Sequence, residues 1–139
     1  MRRLVIDTNV YIDWFNRGRH ADLLFLRDTV KHLSAVVLME LRVGAFSLRD
    51  RRLVQRVEAA FVKSGRILVP SRAVFVEAGD ALRRLQANRG FHIETSHSIV
   101  NDVLIALSAR SIGATVVTQN GDHFQAIRAV RSFQLVVIR

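Results

Sequence analysis

Arg3-Leu4-Val5-Ile6-Asp7-Thr8-Asn9 is a short apolar run that ends on an acid. Read as a strand over residues 3–7, it delivers a carboxylate to the strand's carboxyl end. Burying an unpaired carboxylate costs several kcal/mol or more, so Asp7 needs a cation, a set of donors, or water. Three further acids follow comparable apolar stretches: Glu40, Asp102 and Asp122. The chain as a whole carries a formal charge of +9. Local acid within a basic chain is what metal-dependent cleavage of a polyanion requires.

Working outward from that run, helical and strand patterns alternate. Tyr11, Ile12, Trp14 and Phe15 form an aromatic helical stretch broken near Gly18, and Leu23, Leu24 and Leu26 belong to a second piece. A strand near 32–36 leads into a helix carrying Glu40 and Leu41, which ends at Gly44 or just after Phe46. Leu53, Val57, Ala60 and Phe61 recur at helical spacing. So do Val74, Ala78, Ala81, Leu82 and Leu85, behind Ser71 as N-cap. Residues 66–69 read as a strand between these two helices. Asn101 to Leu107 is a nearly all-apolar, hence buried, helix opened by Asp102 and stopped by Gly113. Ala114-Thr115-Val116-Val117 reads as a central strand and Leu135-Val136-Val137-Ile138 as the last. Such alternation predicts an α/β fold, a parallel sheet covered on both faces. In open sheets of this kind ligands bind beyond the carboxyl ends of the strands, where the acids are expected to gather.

The 139 residues, half of them hydrophobic, suit a single domain over 1–139 with a real core. No apolar run approaches the ~20 residues of a membrane span. Asp7 interrupts the N-terminal apolar stretch too early for a signal peptide, and there is no cysteine for disulfide or thiolate chemistry. A cytoplasmic protein fits these features. Of 21 basic residues only Lys31 and Lys63 are lysine, leaving 19 arginines. Arginine's planar fork holds phosphate at two points, which suits a nucleic-acid partner. Compositional bias plus solvated surface explains the same count equally well.

Several carboxylates within a few ångströms repel one another, and a divalent cation resolves the repulsion. Mg²⁺ takes oxygen ligands and keeps several waters; Mn²⁺ accepts the same set. Bound there, it would activate water and neutralise charge growing on a phosphodiester. Zinc is disfavoured, because cysteine is absent and His92 and His97 lack ligand partners in the sequence. All five histidines read as surface or packing residues.

Taken together, Leu4-Val5-Ile6-Asp7-Thr8-Asn9, Met39-Glu40-Leu41, Asp102-Val103-Leu104-Ile105-Ala106 and Val116-Val117-Thr118-Gln119-Asn120 with Phe124 carry a resemblance. In their order and separation the chain resembles a PIN-domain ribonuclease, specifically the VapC-type toxin of toxin–antitoxin pairs. The resemblance implies a three-layer PIN-like domain with a small parallel sheet flanked by helices. It implies Mg²⁺-dependent endoribonuclease activity on RNA, a homodimer, and a cognate antitoxin that covers or invades the crevice. Asp7, Glu40 and Asp102 match the family's three firm acids. The fourth corner is open between Asp122 and Asn120, with Asp122 preferred because a carboxylate holds Mg²⁺ more strongly. The acid that some relatives carry just before the phenylalanine is His123 here. On this reading Asp7, Asp102 and Asp122 hold the metal, Glu40 completes the cluster directly or through water, and Thr8, Thr118 and Asn120 support it. The rival readings are a non-toxin PIN nuclease in RNA processing and a basic nucleic-acid-binding module without catalysis.

Each acid also has a purely structural role open to it. Asp7 could cap the following helix, Glu40 could be solvated, Asp102 could sit at a helix N-terminus stabilised by the dipole, and Asp122 could be a turn residue beside Gly121. The remaining acids, Asp13 and Glu94 among them, read as surface or local pairing. Arg49, Arg51 and Arg52, and likewise Arg83, Arg84 and Arg89, could guide RNA phosphates, but a solvated helix face is the preferred reading. Tyr11, Trp14 and Phe15 read as core or dimer surface.

Overall fold

β1 (Arg2–Ile6) is the middle strand of a five-stranded, all-parallel sheet among the described residues. The computed structural model describes residues 1–92 and 97–139, so Glu94 and the side chain of His97 lie outside the described residues. The strand order is β3 (Ile67–Leu68), β2 (Thr29–Ser34), β1, β4 (Thr115–Thr118), β5 (Gln134–Val137). Leu4, Val5 and Ile6 have no exposed surface. Because successive strand residues face opposite sides, both faces of β1 are covered, as parallel sheets require.

The helices that cover it are α1 (Thr8–Arg17), α2 (Ala21–Leu24), α3 (Ala35–Val43), α4 (Leu48–Ser64), α5 (Arg72–Arg89), α6 (His97–Ser111) and α7 (Gly121–Val130). Their ends obey local chemistry. Ser34, Ser47 and Ser71 each accept hydrogen bonds from main-chain N–H groups of the helix they open. α1 stops at Gly18, whose φ of 67° lies in the left-handed region that glycine enters without strain. α6 is the buried element, with Ile99, Val103, Ile105, Ala106, Leu107 and Ala109 all at 0–1% exposure. It packs on β1 and β4 and against α5 and α7.

Several boundaries differ from expectation for identifiable reasons. The strand expected near 32–36 is β2, ending at Ser34, because the Ser34 hydroxyl caps α3 and residues 35 and 36 are already helical. α2 closes at Leu24, before Leu26. α6 begins at His97, so Asp102 stands in its second turn and does not open the helix. The dipole's stabilisation of an anion fades within the first turn, so it is not what accommodates Asp102.

The register sets the working edge. Ile6 pairs with Val117, and the Asp7 N–H donates to the Val117 carbonyl at 2.9 Å. The carboxyl ends of β1 and β4 therefore lie side by side. The chain leaves β1 toward β2 on one flank, while β4 lies on the other. Such a switch in direction opens a crevice at that edge.

Candidate active site

Asp7 sits at the end of β1 and is 4% exposed. Its Oδ1 accepts from the Thr8 N–H at 2.8 Å, making it the N-cap of α1. Its Oδ2 accepts from the Thr118 hydroxyl at 2.7 Å, across from β4. The cap and the crevice acid are thus one residue. Thr118 is fully buried, and its Oγ1 also accepts from the Asn120 N–H at 2.9 Å. Asn9 ties the same loop, accepting from the Gln119 N–H at 3.2 Å and reaching Thr118 Oγ1 at 3.5 Å.

Glu40 reaches the site from α3. It accepts from the Thr8 hydroxyl at 2.7 Å and from the Asn101 amide at 3.4 Å. Asp102 arrives from α6, 5% exposed, with Oδ2 2.8 Å from His123 Nδ1. An ionised carboxylate only accepts, so the imidazole N–H is the donor in that state. The Asp7, Glu40 and Asp102 carboxylates also sense one another electrostatically. Burial raises Asp7 above the ordinary aspartate range, the Thr118 and Thr8 hydrogen bonds oppose this, and Glu40 reinforces it. Burial, together with the charge of Asp7, pushes Asp102 up to about 7 despite its bond to His123.

Among the described residues, no lysine or arginine pairs with these three acids. The arginine ion pairs lie elsewhere, Arg42 with Glu58 and Arg131 with Glu77 for example. Several arginines of the two clusters make contacts within the chain: Arg49 donates to the Phe15 carbonyl, Arg51 to that of Phe46, and Arg84 to that of Val130. The first ties α4 to α1, the second closes the loop before α4, and the third ties α5 to the end of α7.

Asp122 is exposed in the first turn of α7, and among the described residues no hydrogen bond or ion pair links it to the three acids. Its neighbour His123 turns inward instead. Three residues beyond the expected set therefore belong to the site: Asn9, Asn101 and His123. Each was adjacent to, or within two residues of, an acid singled out from sequence, which is the signal that could have found them. Asp13 is locally paired, as expected: Gln119 donates to it at 2.8 Å, a bond that holds its carboxyl below the usual range, and Arg19 lies 3.3 Å away.

A separate apolar groove of about 400 Å³ runs between α1, α2 and α4, lined by Tyr11, Trp14, Phe25 and Leu53 with Lys31 and Arg56. Trp14 meets Phe25 edge-on at 5.5 Å. None of the acids lines it.

The PIN domain family model matches residues 4–130. The chain belongs to the PIN-domain family. Solved structures agree on the fold of this PIN domain. A chain of DNA-bound VapBC from Salmonella typhimurium is 26% identical, with 99% of this chain and 98% of that one covered and a TM-score of 0.72. VapBC2 from Rickettsia felis, bound to a promoter DNA fragment, gives 22% identity, 99% coverage of both chains and a TM-score of 0.72. VapBC-5 from Mycobacterium tuberculosis gives 24% identity, 99% and 100% coverage and a TM-score of 0.64. Comparison with curated protein sequences gives no significant match. PIN domains are nucleases. Among the described residues, no helix is long and apolar enough to cross a membrane.

Proposed function

We propose that this PIN domain is a divalent-metal-dependent endoribonuclease acting as the toxin of a toxin–antitoxin pair in the cytoplasm. What supports the reading most is a charge imbalance. Two buried carboxylates and Glu40 lie close enough to repel one another with no lysine or arginine partner among the described residues, in a chain with 19 arginines. Such a group is repulsive on its own and attractive to a cation.

The donor set is all oxygen, as Mg²⁺ or Mn²⁺ prefers. Among the described residues, no three His, Asp or Glu side chains are already arranged as a metal cage. Mg²⁺ commonly takes only one or two carboxylates directly and fills its other positions with water. Asp7, Asp102 and Glu40 would hold it, Glu40 directly or through water. When bound, the cation would activate water and offset charge growing on the phosphodiester. The chain's own groups prepare the site. Thr118 and the Thr8 N–H hold both oxygens of Asp7, while the Thr8 hydroxyl and Asn101 hold those of Glu40. Oriented groups of this kind need no rearrangement during reaction.

Asp122, exposed at the rim, enters this reading as an outer acid. Asp122→Asn is expected to shift the Mg²⁺ dependence of cleavage by less than about threefold, the range of one exposed charge. A shift as large as that of Asp7→Asn would make Asp122 a direct ligand.

In this reading the antitoxin covers the acid crevice, and the separate apolar groove beside α1, α2 and α4, with Lys31 and Arg56, suits a further amphipathic segment of it bearing acids. A homodimer belongs to the same reading, and the exposed Phe75 and Val76 of α5 offer apolar surface for it. Induced expression tests the toxin assignment. Growth should arrest and new RNA ends should appear with the wild type but not with Asp7→Asn, and co-expressed antitoxin should restore growth. Equal toxicity of Asp7→Asn would remove the assignment.

A further inference from the structure

We propose that His123 is a positioning residue of this site, fixing the orientation of Asp102 by a hydrogen bond without itself binding the metal. The inference rests on the metal-nuclease reading and concerns its fourth corner. His123 is the third residue of α7, immediately before Phe124, which has no exposed surface and packs edge-on against Phe133 at 6.3 Å. The backbone at His123 is thereby anchored in the core. Its ring is held from a second direction by Phe91, edge-on with centroids 5.8 Å apart. The ring therefore has little rotational freedom, and its Nδ1 meets Asp102 Oδ2 at 2.8 Å.

That nitrogen is engaged with a carboxylate oxygen. The contact ties down Asp102 Oδ2, and it opposes the repulsion that Asp7 exerts on Asp102. An acid at position 123 would place a like charge against Asp102. An imidazole makes the same contact attractive. Carboxylates that bind metals are commonly oriented by such outer hydrogen bonds, and losing one typically lowers metal affinity about 10–100-fold.

The test is Mn²⁺ binding to the full chain, followed by electron paramagnetic resonance, for wild type, His123→Ala and His123→Asn. His123→Ala should bind at least about 10-fold more weakly. His123→Asn should stay within about threefold of wild type, because its amide N–H can still donate to Asp102. The wild-type spectrum should show no imidazole nitrogen coupled to the manganese. Wild-type affinity in His123→Ala, an equally weak His123→Asn, or nitrogen coupling to the manganese would each overturn the positioning role while leaving the metal site standing. A wild type that binds no Mn²⁺ would overturn both readings together. Melting in EDTA checks that each variant is folded.

Discussion

Asp102→Asn is expected to melt higher than the wild type in EDTA at pH 8 while losing at least about 100-fold in cleavage rate, the scale set by removing one charge-stabilising group. The two effects have one cause. Asp102 is buried and faces Asp7, which pushes its carboxyl from the ordinary 3.8 up to about 7. The folded chain therefore holds a proton that the unfolded chain has released across that interval. Stability is full below about pH 4 and falls as pH rises through 7, where the folded carboxyl must ionise. Asparagine carries no such penalty. The two melting curves should coincide near pH 4 and separate by roughly 5 °C or more above pH 7. Adding Mg²⁺ should close the gap by stabilising only the wild type. A variant that melts lower than wild type in EDTA at pH 8 would show that Asp102 is not frustrated there.

Thr118→Val is expected to lower stability by about 2–4 kcal/mol and to reduce activity as well. The substitution preserves shape in a position with no exposed surface. It removes the hydroxyl that donates to Asp7 and accepts from the Asn120 N–H, so a buried carboxylate loses a partner and a main-chain donor is left without one. Thr118→Ser keeps the hydroxyl and should recover most of the loss. Urea unfolding of the three proteins in EDTA checks this. A Val variant within about 0.5 kcal/mol of wild type would mean that neither bond matters.

Much of this site was readable from the chain because strand ends are readable. Leu4-Val5-Ile6 is too apolar to be anything but buried, so Asp7 had to meet whatever lies at its carboxyl end. Asp102 stood out as an acid at the opening of an almost wholly apolar helix, although α6 in fact begins at His97. The contact of His123 with Asp102 was not readable. α7 begins at Gly121, and one residue along a helix turns a side chain by about 100°. Whether position 122 or 123 faces the acids depends on how Phe124 seats in the core, which no local pattern reveals. The Thr8–Glu40 bridge joins residues 32 apart, and the arginine contacts to the Phe15 and Val130 carbonyls exist only once helices pack. Likewise the end of β2 depended on Ser34 acting as a cap rather than as a strand residue.

The central claim is that a cation held by Asp7, Glu40 and Asp102 makes this chain a ribonuclease. The direct measurement is cleavage of a structured RNA by purified, metal-stripped protein, with and without added Mg²⁺ or Mn²⁺, beside Asp7→Asn. Cleavage should appear only on adding metal to the wild type, vanish in EDTA, and weaken as salt rises because phosphate contacts release counterions. Full-rate cleavage in EDTA, or equal cleavage by Asp7→Asn, would contradict it.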